Sequence, residues 1–409
     1  MTTLRVALRK YIDFENAMTV LVDRFHQERP EISVEVIPLD LEALSEELFT
    51  RNGLRNGMWD LALVVTDWLA DAVSEGILEE LTPYMNAAPI ADWPVGWAHS
   101  LIEPIDFDGR FYCIPWHDGP ECLIYRRDLF EAPDEQQAFE KRYGYPLAPP
   151  KTWRQFEDVT RFFTRPQEGL YGTVFACYPD GHNTLYDFAL QLWSRGGELH
   201  DTRGIPTLAT GQAKASLDFY RRLVLDASLC HPASIEFDSV SAGQAFLSGS
   251  IAMMVNWFGF ASRVGCVGGA LEEKVALAPI PSEEGIASAS LSVFWNMAVA
   301  SGSRYKQEAY EFLRFLARPE SDREVVRHGV VGVRLSTWHD AEVQRDIPAF
   351  QEIEAISAGA RLLPRTTSLP EFAEIVNRIV IAALNKNEPS DAILQRAQQE
   401  AMEKHLRFH

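Results

Sequence analysis

Apolar positions change period several times along the first 65 residues. Leu4-Arg5-Val6-Ala7-Leu8 is a short run of strand length, and behind it Phe14, Met18, Leu21, Val22 and Phe25 recur at the spacing of a helix with one buried face. Pro30 ends that helix, because proline removes a backbone donor and restricts the residue before it. Ile32-Ser33-Val34-Glu35-Val36-Ile37 alternates as a half-buried strand does, and Leu41, Leu44, Leu48 and Phe49 predict the next helix. Leu61-Ala62-Leu63-Val64-Val65 is unbroken apolar sequence, the mark of a parallel strand covered on both faces. The order is βαβαβ. Such units cross over right-handedly and leave a rim of loops at the strand C-termini, where open α/β sheets hold ligands. Arg9-Lys10-Tyr11 and Thr66-Asp67-Trp68 fall on that rim.

Further along, Asp108-Gly109 predicts a turn and Arg110 to Pro115 an extended segment, followed by a short strand at Leu123-Ile124-Tyr125. Trp153, Phe156, Val159, Phe162 and Phe163 mark a helix with Thr152 as its N-cap, and Phe188, Leu192 and Trp193 mark another that stops at Gly196-Gly197. Ile251 to Val255 and Val275 to Ile280 read as strands. Two helices close the chain, one carrying Phe372, Ile375, Val376, Ile379 and Ala383, the other starting at Ser390 with Ile393, Leu394 and Ala397. No repeat of solenoid period and no flexible tether interrupts this pattern, so any division into domains follows from topology.

With 409 residues the chain is long enough for two or three domains, and no stretch reaches the roughly 18 to 20 uncharged apolar residues of a membrane-spanning helix. Its formal charge of −20, without a concentrated basic run, opposes binding to a phosphate backbone, so nucleic acid is not an expected partner. Met1 to Leu8 holds no long apolar region with a small-residue cleavage site, so a secretory signal is not expected within this sequence. Cys113, Cys122, Cys177, Cys230 and Cys266 stand singly, with neither a CxxC pair nor zinc spacing, so no metal or other cofactor is expected. A Cys113–Cys122 bridge is open to this spacing, although sparse cysteines are more often plain buried side chains.

Several segments, in order and spanning nearly the whole chain, resemble the extracellular solute-binding proteins of family 1, the group that includes maltose- and other sugar-binding proteins. Asp60 to Trp68 resembles the family's strand followed by a polar or aromatic ligand loop. Phe107-Asp108-Gly109-Arg110-Phe111-Tyr112-Cys113-Ile114-Pro115 is similar to its D-G-K-x-Y-x-x-P entry into the second lobe, and Leu123 to Phe130 to its Y-Y-R-K-D-L-F segment. Pro150-Lys151-Thr152-Trp153-Arg154-Gln155-Phe156 resembles P-x-T-W-x-E-F, Trp193 to Gly197 the helix ending in Gly-Gly, Phe246 to Trp257 the F-x-x-G-x-x-A-M-x-x-x-x-W segment, and Ala309 to Leu316 a helix following the third crossover. Each motif is weak alone; their shared order makes the resemblance specific. It implies an α/β, two-lobed periplasmic-binding-protein fold with a hinge and an interlobe ligand cleft. Lobe 1 is expected from 1–113 and 280–318, and lobe 2 from 114–279 and 319–409. It also implies a periplasmic, monomeric carrier that hands a mono- or oligosaccharide to the membrane permease of an ABC transporter, without catalysis.

A sugar has apolar ring faces and a belt of hydroxyls, so its site needs flat aromatic platforms beside carboxylate, amide and guanidinium groups. The resemblance places a ligand-stacking aromatic at Trp257, next to Asn256. Strand exits supply Tyr11, Asp67 and Trp68, and Trp116, His117 and Asp118 follow the crossing near Pro115. The polar loop before the helix of Phe188 offers Tyr178, Asp180, His182 and Asn183. Trp295 precedes the apolar run Met297 to Ala300, and Arg334 and Arg365 suit an acidic or heavily hydroxylated ligand. Against each stands a plainer role: a core tryptophan, an aspartate capping a helix, an arginine in a surface ion pair.

Two other readings are weighed. A sugar-active hydrolase needs two carboxylates roughly 5 to 10 Å apart, but the chain has no GxSxG elbow, HExxH, Walker loop or GxGxxG after a strand. The same fold could instead take a polyamine or another small polar solute, with Asp67, Asp118 and Asp180 beside Trp116 and Trp257 as a cation site. A protein without a small ligand is disfavoured by so many aromatic and polar residues at expected cleft loops.

Overall fold

The computed structural model describes residues 2–267, 271, 273–385 and 388–408. Its strands are β1 (Thr2–Arg9), β2 (Ile32–Leu39), β3 (Leu61–Val65), β4 (Cys113–His117), β5 (Glu121–Arg126), β6 (Met253–Trp257), β7 (Val275–Ala278), β8 (Ser290–Leu291), β9 (Trp295–Val299) and β10 (Ala360–Arg361). The helices needed below are α1 (Ile12–Glu28), α2 (Trp153–Phe163), α3 (Asn183–Trp193), α4 (Gly211–Leu225), α5 (Lys306–Leu316), α6 (Pro319–Arg327), α7 (Leu369–Asn385) and α8 (Ser390–Glu403).

The chain divides into two compact units. Unit 1 comprises Met1–Gly119, Gly265–Val267 and Ser292–Ala358, and unit 2 comprises Pro120–Val264, Gly268–Leu291 and Gly359–His409. Lobe 1 was expected to end at 318, yet the run to Ala358 belongs to unit 1. The reason is packing: Arg24 of α1 pairs with the buried carboxylate of Glu324 in α6. Asp322 accepts hydrogen bonds from the Val333 and Arg334 amides, tying the loop after α6 to the same body.

Unit 1 holds a five-stranded sheet in the order β2-β1-β3-β9-β4. β1 lies parallel to β2 and β3, as the βαβαβ pattern predicts, and β9 runs antiparallel to β3 and β4. All five residues of β3 are buried, which explains why polar residues do not interrupt it. The predicted turn forms at Asp108 and Gly109, both with positive φ (56° and 78°), the backbone that a tight Asp-Gly connection needs.

Unit 2 has a three-stranded antiparallel sheet, β6-β5-β7, and the short parallel pair β8–β10. The strands expected at 251–255 and 275–280 form at Met253–Trp257 and Val275–Ala278. Both C-terminal helices form, and α7 buries the predicted Phe372, Ile375, Val376, Ile379 and Ala383. At the start of α2, Thr152 accepts from the Gln155 amide and the Gln155 side chain accepts from the Thr152 amide, a complete capping box. Cys113, Cys122, Cys177 and Cys230 are buried free thiols, so the Cys113–Cys122 bridge is absent; the side chain of Cys266 lies outside the described residues. None of the described helices is long and apolar enough to cross a membrane.

Candidate functional site

In unit 1 the candidate residues gather at one edge of the sheet, because the exits of β3 and β4 and the entry of β9 meet there. Trp295, the first residue of β9, is paired in register with Val65 on one side and His117 on the other. Its ring meets that of Trp68 edge-on, with centroids 5.9 Å apart, and Trp68 also packs on Phe49 at 5.5 Å. Trp68 is buried, whereas Asp67 beside it and Trp295 remain partly accessible.

Phe14, which the sequence marked only as a core position of α1, organises the other half of this edge. Its ring contacts Tyr11 at 5.2 Å, Trp116 at 5.1 Å and His117 at 4.8 Å. Successive strand residues ordinarily face opposite ways; a register shift between Pro115 and His117 lets Trp116 and His117 approach one ring. His117 Nδ1 accepts a hydrogen bond from the Val331 amide, and burial lowers the pKa of its ring to about 4, so it is neutral at pH 7.

Two expected ligand groups of unit 1 are committed elsewhere. Arg334 is 1 % exposed: its guanidinium donates to the Ala91 and Ala317 carbonyls and to the Asp92 carboxylate, and lies 4.3 Å from the centre of the Trp97 ring. Burial of its long side chain makes it an internal brace rather than a rim arginine. Asp118 has no exposed surface; one carboxyl oxygen lies 3.3 Å from Ser292 Oγ and the other has no hydrogen-bond partner. Burial raises its pKa to about 7.

In unit 2, Trp257 ends β6 half-buried and meets Tyr186 of α3 edge-to-face, centroids 5.6 Å apart at 84°. The Tyr186 hydroxyl is 3.0 Å from His182 Nδ1, one helical turn earlier. Asp180 accepts from the His182 and Asn183 amides and the Asn183 side chain, so its carboxylate is engaged in the turn that leads into α3. Asn256 is likewise internal: its amide donates to the Ser239 carbonyl and its oxygen accepts from the Trp257 amide. That pair fixes the backbone carrying Trp257. Tyr178 and Arg365 are exposed.

Sequence reasoning missed Tyr186 and two carboxyls of unit 2. Glu121 opens β5 directly across from Trp257, 6 % exposed, with Oε2 lacking a partner. Burial and the nearby Asp187 carboxyl hold its pKa well above the usual carboxylate range. Asp187 of α3 accepts a hydrogen bond from the Tyr220 hydroxyl at 2.8 Å, and burial raises its pKa to about 7. The helical interval between His182 and Tyr186 was a usable signal; the pairing of Glu121 with Trp257 depends on strand register and left none.

These features, a two-unit α/β chain with aromatic side chains gathered at strand ends, define a ligand-binding scaffold. Residues 11–323 match the bacterial extracellular solute-binding protein family, and the chain belongs to it. It is 25 % identical over 400 residues to a mannitol-binding protein of Pseudomonas aeruginosa, covering 92 % of this chain and 87 % of that one. Among solved structures it is similar to maltose-bound MalE3 of T. maritima (TM-score 0.87, 21 % identity, 99 % and 100 % of the two chains covered). The ribitol complex of an ABC transporter solute-binding protein from Agrobacterium radiobacter K84 gives a TM-score of 0.87 at 22 % identity, with 98 % of each chain covered.

Proposed function

We propose that this chain is the substrate-binding component of an ABC-type importer and that its ligand is a small neutral polyhydroxylated solute, a polyol or a sugar. The observation that carries the reading is Trp257: a half-buried indole braced edge-on by Tyr186 and fixed through Asn256, at a strand end. Such a platform suits the apolar face of a carbohydrate. The partly accessible Trp295, Asp67, Tyr11 and His117 of unit 1 supply the complementary aromatic and polar contacts, with closure of the two units around the ligand as the working motion. Relatives of this chain are described as binding mannitol, ribitol and maltose, which supports the ligand class.

A polyamine is the weaker reading within the same fold. Glu121, across from Trp257, has its pKa pushed well above the usual carboxylate range by burial and by Asp187, which disfavours the negative charge that would attract a cation. The proposed setting is the periplasm, with a monomer delivering its ligand to a membrane permease and leaving it chemically unchanged. Calorimetric titration with D-mannitol, ribitol, maltose and spermidine at low and high salt tests the assignment. Saturable binding of one of the first three, indifferent to salt and without turnover, is the expected result. Binding of spermidine alone, weakening steeply with salt, replaces the proposal with the polyamine reading.

A further inference from the structure

Among the crossings between the units, one leads from unit 1 to unit 2 between Gly119 and Pro120, and a later one returns to unit 1 between Leu291 and Ser292. A buried acidic residue flanks the 119/120 crossing on each side, Asp118 before it and Glu121 after it, and serines flank the 291/292 crossing, Ser290 and Ser292. Each unit ties its two ends together. In unit 1, Ser292 Oγ lies 3.3 Å from Asp118 Oδ1; in unit 2, Ser290 Oγ donates to the Glu121 carbonyl. Asp118 Oδ2 and Glu121 Oε2 are both buried without a hydrogen-bond partner. A carboxylate in that position is costly, whereas a neutral carboxyl is tolerated.

We propose that these crossings form a proton-operated latch: neutral Asp118 and Glu121 hold the paired crossings closed to water, and loss of their protons releases them. The inference deepens the solute-binding reading by giving its hinge a regulator.

The surroundings of each carboxyl agree. Asp118 is influenced by burial, the Gly119 amide and Ser292, and its strand neighbour His117 is neutral at pH 7 and so offers no positive charge to an ionised Asp118. The nearby Asp187 carboxyl adds repulsion to the burial of Glu121; Asp187 is in turn raised by its own burial and, to a smaller extent, by Asp180, against the Tyr220 hydroxyl that donates to it. The Cys122 thiol next to Glu121 is pushed far up and stays protonated. Ionisation therefore favours any conformation that lets water reach the crossings. By linkage, each carboxyl can shift the opening equilibrium by up to about tenfold per pH unit between its hydrated and buried pKa values.

Hydrogen–deuterium exchange of the ligand-free full chain at pH 5.5 and pH 8, corrected for intrinsic rates, tests this in peptides covering 113–126 and 288–299. The latch predicts about tenfold or greater loss of protection at pH 8 in the unaltered protein. Asp118→Asn combined with Glu121→Gln should abolish that pH dependence while leaving both segments protected, and Ser292→Ala should lower protection already at pH 5.5. Equal protection at both pH values in the unaltered protein, or the same loss in the double variant, overturns the proposal. Failure to bind any carbohydrate would remove the solute reading but leave this result standing.

Discussion

Arg334 and Trp257 separate two roles that composition alone cannot distinguish. Arg334 braces the interior, so Arg334→Ala should destabilise the protein by about 2 to 3 kcal/mol, through two lost carbonyl bonds and a lost ring contact. Chemical denaturation measures that loss, and ligand affinity of the folded variant should be unchanged. Trp257→Ala should do the reverse, weakening ligand binding by about 1 to 3 kcal/mol with little loss of stability. His117 adds a pH signature. Its folded-state pKa of about 4 lies below the ordinary 6.5, so the unfolded chain binds more protons between these values. Stability from this group is full above about pH 6.5 and falls as pH drops toward 4; His117→Gln should flatten that limb of a denaturation–pH profile.

At the scale of elements, local sequence codes were readable because each satisfies backbone groups within a few residues. The Thr152 capping box shows it: Thr152→Ala should lower the urea midpoint by the equivalent of about 1 kcal/mol without changing its slope, and Thr152→Ser should largely restore it. α2, α3 and both terminal helices were legible for the same reason, and the opening strands through their apolar pattern, since their backbone partners lie far along the chain. Register was not. The shift in β4 that turns both Trp116 and His117 toward Phe14, and the pairing of Glu121 with Trp257, join residues through backbone geometry that apolar periodicity does not encode. Likewise, Asp118, Asn256 and Arg334 have the chemistry of ligand groups, and only burial and hydrogen bonding showed that their polar atoms face inward.

For the whole molecule, the motif order carried the family assignment, since many weak matches in sequence constrain one topology. The far bound of unit 1 escaped it because α6 is held by an ion pair with α1, and the loop after it by Asp322 of α6, contacts formed only on folding. The division into two units is what gives the proposed function its mechanism: a ligand touched by both stabilises the closed form only by its differential affinity for it. Small-angle scattering of the purified chain, with and without saturating D-mannitol, ribitol or maltose, reads that closure directly. The account predicts a smaller radius of gyration with whichever of these binds, and no such change in Trp257→Ala at the same concentration. Tight binding with an unchanged radius of gyration would contradict it.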